Sequence, residues 1–313
     1  MARSVYITGI GRRDGRQVVE LGLMELLTRQ VDRVGIFRPL VHADPGTPAG
    51  HSPDHIAALL RARYRLDQPL ERIHGLTYEE AAVLQAEHGM DELVSRLVGR
   101  FRDLERDYQA MLVFGTDFAD TNLPSELAFN ARLANEFGAL VLPVVGGVGQ
   151  NAESVRAEIR NAYHAYASLG CDILAMIANR VAPDDREAIA GAHTTADLPV
   201  PVYVLPEEPA LAAPTVAEVV EAVGGEVLLG DSAGLARDVR NIVFGGATLP
   251  NFLDALTEGC LVLTPGDRAD LIIGSLAAHA AGRPPIAGLL LTLDERPGPN
   301  VLSLADRLAP RTP

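Results

Sequence analysis

The stretch that decides the fold is Val5-Tyr6-Ile7-Thr8-Gly9-Ile10-Gly11-Arg12-Arg13-Asp14-Gly15-Arg16-Gln17. Its first residues favour a strand, its glycines favour a loop, and apolar residues at helical spacing follow from Val18 onward. A glycine-rich loop between a strand and a helix is typical of a phosphate-binding loop, because the amide groups at a helix N-terminus point at an anion. The stretch therefore predicts an anion or nucleotide site at Gly9, Gly11, Gly15 and Arg16.

This loop lacks two groups that a nucleotide-triphosphate site uses. A lysine normally reaches the outer phosphates and a serine or threonine holds magnesium, but Arg16 and Gln17 stand at those positions. The chain has 27 arginines and no lysine, so no lysine from elsewhere can replace the missing one. Because arginine is forked and bulkier than lysine, the exchange is not conservative. The composition favours a degenerate loop that still binds a small anion over a phosphoryl-transfer site.

Two further polar residues follow predicted strands at the sheet edge where ligands collect in open α/β folds. Asp117 follows the strand predicted over 111–114 and could bind a cation or the loop arginines; it could equally cap a helix or accept from a loop. Asn179 follows the strand predicted over 173–178. Its amide could contact a purine edge or cap a loop, and its position does not distinguish the two.

Short apolar runs alternate with amphipathic stretches along the whole chain, which predicts an α/β fold with a parallel sheet. A proline-rich segment over 205–214 and a glycine pair at 224–225 interrupt the alternation, so we place a domain boundary near 224. Strands are predicted in the first part over 5–8, 34–37, 111–114, 140–145, 173–178 and 202–205. In the second part they are predicted over 227–229, 241–244, 261–264 and 289–292.

Charge and cysteine content limit the partners. Forty-one acidic residues against 27 basic ones give a formal charge of -14, which argues against nucleic acid. No apolar run approaches the roughly 20 residues of a membrane span. Cys171 and Cys260 are too few for a disulfide framework, and no zinc-type ligand spacing occurs. We expect a cytoplasmic protein that binds no metal, no membrane and no nucleic acid.

Several segments resemble a known family. Those of the first part are similar to the dethiobiotin-synthetase-like P-loop domain at the N-terminus of long-form bacterial phosphate acetyltransferases, and the all-arginine composition suits an actinobacterial version. The segment Leu263-Thr264-Pro265-Gly266-Asp267-Arg268-Ala269-Asp270 resembles the signature of the DRTGG domain that follows it. The matching segments of the first part are Tyr6-Ile7-Thr8-Gly9, Val34-Gly35-Ile36-Phe37-Arg38-Pro39, Gly115-Thr116-Asp117 and Asn179-Arg180.

The resemblance implies a P-loop NTPase-like domain over 1–224 and a smaller α/β DRTGG-type domain over 225–313 that is truncated at its C-terminus. The family's acetyltransferase domain, which exchanges acetyl between coenzyme A and phosphate, would follow and is absent. The chain would then be a regulatory and oligomerisation portion that forms homo-oligomers and is not catalytic alone. In related enzymes this portion responds to metabolites such as NADH and pyruvate, so a nucleotide or small anionic metabolite is the expected ligand.

The chain departs from the family at several positions. Active dethiobiotin synthetases carry a metal-binding glutamate where Phe114 stands here, which adds to the changes at Arg16 and Gln17. Family members have a Gly-Gly pair where this chain has Leu293-Asp294. Two alternatives to a regulatory role remain open. One is a stand-alone ATP-dependent ligase related to dethiobiotin synthetase, and the other is an oligomerisation platform without a ligand.

Overall fold

The computed structural model describes residues 3–10, 14–42, 55–116, 126–191 and 198–313. The chain forms two compact units, Met1–Glu207 and Glu208–Pro313. Among the helices of the described ranges, none combines the length and the apolar character that crossing a membrane requires.

The first unit is built on a seven-stranded sheet in which every pair of neighbouring strands is parallel. The strand order β3-β2-β4-β1-β5-β6-β7 puts β1, which leads into the glycine loop, at the centre. This confirms the predicted α/β class. The strands are β1 Arg3–Ile10, β2 Val34–Val41, β3 His74–Thr77, β4 Ala110–Phe114, β5 Leu140–Gly146, β6 Met176–Val181 and β7 Val202–Pro206.

Helices cover both faces of this sheet. Tyr6 and Ile7, adjacent on β1, are both fully buried but belong to different apolar clusters, because successive strand residues point to opposite faces. Helices α4 to α6 contribute to the Tyr6 cluster, and α1 and α2 to the Ile7 cluster. The helices are α1 Arg16–Thr28, α2 His55–Tyr64, α3 Leu70–Ile73, α4 Tyr78–His88, α5 Met90–Glu105, α6 Glu126–Phe137, α7 Ala152–Ser168 and α8 Arg186–Gly191.

The second unit has a three-stranded parallel sheet in the order β10-β9-β8. Its apolar core lies between the sheet and helices α11, α12 and α13, with Phe252 and Leu271 among its most buried members. The strands are β8 Asn241–Phe244, β9 Cys260–Pro265 and β10 Gly288–Thr292. The helices are α9 Val216–Val223, α10 Ser232–Leu235, α11 Leu249–Leu253, α12 Ala269–Ala280 and α13 Pro299–Leu308.

The structure differs from the sequence-based strands in three places. Strand β3 was not predicted, because its four residues contain only one large apolar side chain, Leu76. The strand predicted over 173–178 begins only at Met176, and Ile173 forms an isolated bridge with Val141. Residues 227–229 form no strand, although their sequence favours one.

The compact units divide at Glu207, earlier than the boundary of 224 inferred from sequence. The reason is the packing of α9. Val216, at its start, is buried in a cluster with Val239 and Leu261 of the second unit. Thr215, which caps α9, also forms a bridge with Asp238. The apolar face of this helix therefore completes the second core.

Candidate ligand-binding site

The glycine loop connects the carboxyl end of β1 to α1. Gly15 caps α1 with a left-handed backbone (φ 67°, ψ 24°), a conformation that favours glycine. A Cβ atom added at Gly15 would lie 2.8 Å from Nδ2 of Asn179 and 2.8 Å from Cδ of Arg180. Glycine is thus required at this position both by the backbone and by the close approach of the end of β6.

Asn179 holds the loop from β6. Its side-chain nitrogen donates hydrogen bonds to the carbonyl oxygens of Asp14, at 2.8 Å, and Gly15, at 3.0 Å. The residue is only 3% exposed. Of the two roles that the sequence left open, contact with a purine or support of a loop, the amide nitrogen performs the second.

Arg16 turns inward. The residue is 9% exposed, and its Nη1 donates to the carbonyl oxygen of Thr116, just beyond β4, at 3.3 Å. Its Nε lies 3.8 Å from Oε1 of Glu20, one helical turn later, and Glu20 is fully buried. Because these groups neutralise and orient the guanidinium, Arg16 links α1 to the end of β4. Glu20 was not among the residues identified from sequence, and its i,i+4 spacing from Arg16 is the signal that could have pointed to it.

Asp14 places a negative charge inside the loop. Its Oδ1 accepts a hydrogen bond from the backbone N–H of Arg16 at 2.9 Å. A Cβ atom added at Gly9 would overlap the Asp14 carboxylate, so this side chain lies directly against Gly9. The first backbone N–H of α1, where an external anion would be stabilised, therefore already donates to a carboxylate of the chain.

Buried polar side chains connect β1, which leads into the loop, to helices α6 and α7. Oδ1 of Asn130 accepts from the Tyr6 hydroxyl at 2.6 Å and from the backbone and side chain of Thr116, each at 3.0 Å. The hydroxyls of Thr8 and Tyr166 lie 2.9 Å apart. Burial raises the pKa of both Tyr6 and Tyr166 well above the usual value for a phenol. Both phenols therefore stay neutral and serve as structural hydrogen-bonding groups.

Two positions that would serve phosphoryl transfer carry unsuitable side chains. Gln17 is exposed, and Phe114, where the resemblance to dethiobiotin synthetases leads us to expect a glutamate, is fully buried in the apolar core. In the described ranges no group of three or more His, Cys, Asp or Glu side chains is arranged to hold a metal ion. The predicted site residues Gly11 and Asp117 lie outside those ranges.

Comparison with known proteins agrees with this architecture. Residues 3–215 match the family model of an AAA domain, and residues 218–313 match that of the DRTGG domain. The phosphate acetyltransferase of Nitratidesulfovibrio vulgaris is 32% identical over 312 residues, which are 98% of this chain and 44% of that protein. The phosphate acetyltransferase of Synechocystis sp. is 26% identical over 317 residues, covering 100% of this chain and 45% of the relative.

The chain thus spans less than half the length of these curated relatives. The matched models meet between residues 215 and 218, close to the point where α9 begins. The AAA-domain match covers well over half of the chain. This chain therefore belongs to the AAA-domain family, continues into a DRTGG domain, and is similar along nearly its whole length to phosphate acetyltransferases.

Proposed function

We propose that this chain is the regulatory and assembly portion of a phosphate acetyltransferase, and that transfer of acetyl from coenzyme A to phosphate is performed by a separate acetyltransferase domain. The similarity to proteins of that name, together with the partial coverage of their length, supports the proposal. The observation that carries it is the inward position of Arg16, held by Thr116 and Glu20. This guanidinium is engaged with groups of the chain itself, whereas phosphoryl transfer requires a cation that contacts the transferred group.

In this proposal the loop binds a nucleotide or a small anionic metabolite without cleaving it. The ligand would contact the backbone at Gly9, Gly11 and Gly15, and Asp117 would bind a cation or the loop arginines beside it. Asn179 and Arg16 would act by positioning the loop, since their side chains already bind its carbonyls and the end of β4. An incoming anion must displace the Asp14 carboxylate from the Arg16 amide, which makes binding reversible and weak.

Calorimetric titration of the whole chain with inorganic phosphate and with ATP tests the ligand role. We expect Asp14→Asn to increase the affinity for either anion about tenfold, since it removes one negative charge next to the site. The matched control is Asp32→Asn, which makes the same change in an exposed segment between α1 and β2. This segment lies at the amino ends of the strands, whereas the glycine loop lies at their carboxyl ends. Equal effects of the two substitutions, or no binding heat with any of the three proteins, would contradict the ligand role.

A second function is favoured by Asp14 itself. Because this carboxylate already accepts from the first N–H of α1, the loop can be complete without any ligand, and the chain would then serve only to assemble homo-oligomers. This function predicts self-association in light scattering that phosphate, ATP and Asp14→Asn leave unchanged. A monomer under those conditions would argue against it.

The proposal includes the cellular compartment of the chain and the kind of partner it binds. We place it in the cytoplasm, because the cysteines Cys171 and Cys260 are both free and buried. Burial raises the pKa of the Cys171 thiol, which makes this group a poor nucleophile. The acidic charge of -14 favours protein and metabolite partners over nucleic acid.

A further inference from the structure

A polar cavity of about 400 Å³ lies in the second unit, at the amino ends of its strands. The residues that line it come from the segments before β8, β9 and β10 and from the last turn of α12. Its size falls within the range of small-molecule sites in proteins. The charged and titratable side chains that line the cavity are Arg237, Asp238, Arg240, Glu258 and His279.

Arg237 lines this cavity with a guanidinium that is only partly hydrogen-bonded. Its Nη1 donates to the carbonyl oxygen of Ile286 at 3.4 Å and to the hydroxyl of Thr312 at 3.1 Å. Among the described residues, its Nε and Nη2 have no hydrogen-bond partner, and no carboxylate forms an ion pair with it. Nε–H and one Nη2–H point the same way along one edge of the guanidinium plane. This pair of donors matches the two oxygens of a carboxylate.

His279 supplies a further donor to the same cavity. Its Nδ1 accepts a hydrogen bond from the backbone N–H of Ile286 at 3.1 Å, so the hydrogen of the neutral ring is on Nε2. Burial, together with the charge of Arg237, lowers the pKa of His279 below its usual value, and the ring is therefore neutral near pH 7. Within the part of the chain that the structure describes, nothing accepts from Nε2–H.

The acidic side chains of the cavity limit the charge of a ligand. Glu258 lies 3.2 Å from Arg240, with which it forms an ion pair, and Asp238 is exposed. The two arginines and the two acids cancel in formal charge, so the cavity does not favour a strongly charged anion. A doubly charged phosphate would be repelled by both acids, whereas a single carboxylate needs only the free edge of Arg237.

We propose that this cavity is a binding site for a small monocarboxylate. The carboxylate binds Nε and Nη2 of Arg237 and accepts a hydrogen bond from Nε2–H of His279. The apolar parts of Pro285 and Ile286, which also line the cavity, contact the rest of the ligand. The site belongs to the second unit and does not depend on a ligand at the glycine loop of the first unit.

The first test is a titration of the full chain with sodium acetate, in which NMR follows the pKa of the His279 ring; the His279→Gln variant assigns the signal. A bound carboxylate offsets the positive charge of Arg237, so we expect acetate to raise this pKa until the site is saturated. The charges of Asp238, Arg240 and Glu258, the other groups facing the ring, stay the same during the titration. Sodium chloride at equal ionic strength is the control, and we expect it to leave the pKa unchanged.

The second test compares the affinity for acetate in two variants. Arg237→Lys keeps the positive charge but removes the paired donors, and we expect at least about tenfold weaker binding. The matched control is Arg307→Lys, the same exchange at an exposed residue of α13, which should leave the affinity unchanged. Urea midpoints show whether each variant is folded.

Three results would overturn the proposal. One is a His279 pKa that acetate does not change in the unmodified chain, and another is an equal effect of chloride. The third is tighter binding of inorganic phosphate than of acetate, because the cavity would then select a different class of anion. Equal affinity of Arg237→Lys and the unmodified chain for acetate would also contradict the assigned role of Arg237.

Discussion

Asn179 is the residue on which the geometry of the glycine loop depends most directly. Its two hydrogen bonds hold the carbonyls of Asp14 and Gly15, and its position leaves space at Gly15 for nothing larger than hydrogen. Because the residue is almost fully buried, water cannot replace these bonds. The shape of the candidate site therefore depends on a residue of β6, although the loop itself joins β1 to α1.

The substitution Asn179→Asp tests this dependence. It replaces a donor by a carboxylate oxygen that would face two carbonyl oxygens, and we expect a loss of about 3 kcal/mol in the free energy of unfolding. Urea denaturation measures the loss. The matched control is Asn151→Asp, because Asn151 caps α7 by accepting from Ser154 and aspartate caps equally well. A change below about 0.5 kcal/mol at Asn179 would show that these bonds do not hold the loop.

Single residues also show the limits of inference from sequence. Gly15 could be assigned to the loop because a strand, a glycine run and a helix fix its place, whereas the sequence left Asn179 open between a purine contact and a loop cap. The inward turn of Asp14 could not be foreseen, since a residue between glycines can point in many directions. Nor could the bond between Tyr6 and Asn130, which are 124 residues apart in sequence and meet only when the sheet forms.

Among the elements, the turn after β10 is under backbone strain. Leu293 and Asp294 have φ angles of 67° and 55°, in the left-handed region that non-glycine residues avoid. These are the positions where the resemblance to phosphate acetyltransferases leads us to expect Gly-Gly. The turn thus has the left-handed backbone conformation that glycine favours, but its two residues carry side chains that disfavour this conformation.

We therefore expect Leu293→Gly to stabilise the second unit by about 0.5–1 kcal/mol, because the relief of backbone strain exceeds the added freedom of the unfolded chain. Leu293 is 75% exposed, so little packing is lost. The matched control is Leu304→Gly in the interior of α13, at a residue 46% exposed, where glycine should destabilise by about 1 kcal/mol. Urea midpoints that move in the same direction for both variants would contradict this interpretation.

Elements with long apolar runs were predictable, because β1, β4 and β5 are buried on both faces and leave a clear pattern. The pattern is weaker where a strand depends on its neighbours. Strand β3 has four residues, His74 to Thr77, and pairs only with β2 at the sheet edge. Residues 227–229 show the reverse, since their sequence favours a strand and they form none.

At the scale of the whole molecule, two units with separate cores carry the two family matches. The order of motifs along the sequence was enough to predict the family. Composition added the decisive chemical fact, the absence of lysine from all 313 residues. The boundary was harder to infer, because α9 follows the first sheet in sequence but packs with the second core.

The most direct test of this account is the release of inorganic phosphate from magnesium-ATP by the purified chain. With Arg16 held by Thr116 and Glu20, and with no lysine available, we expect no release above the enzyme-free rate. The same assay on Arg16→Ala, which removes the guanidinium, should give the same background. Phosphate release by the unmodified chain at rates near 1 per second, a typical enzymatic turnover, would contradict the account.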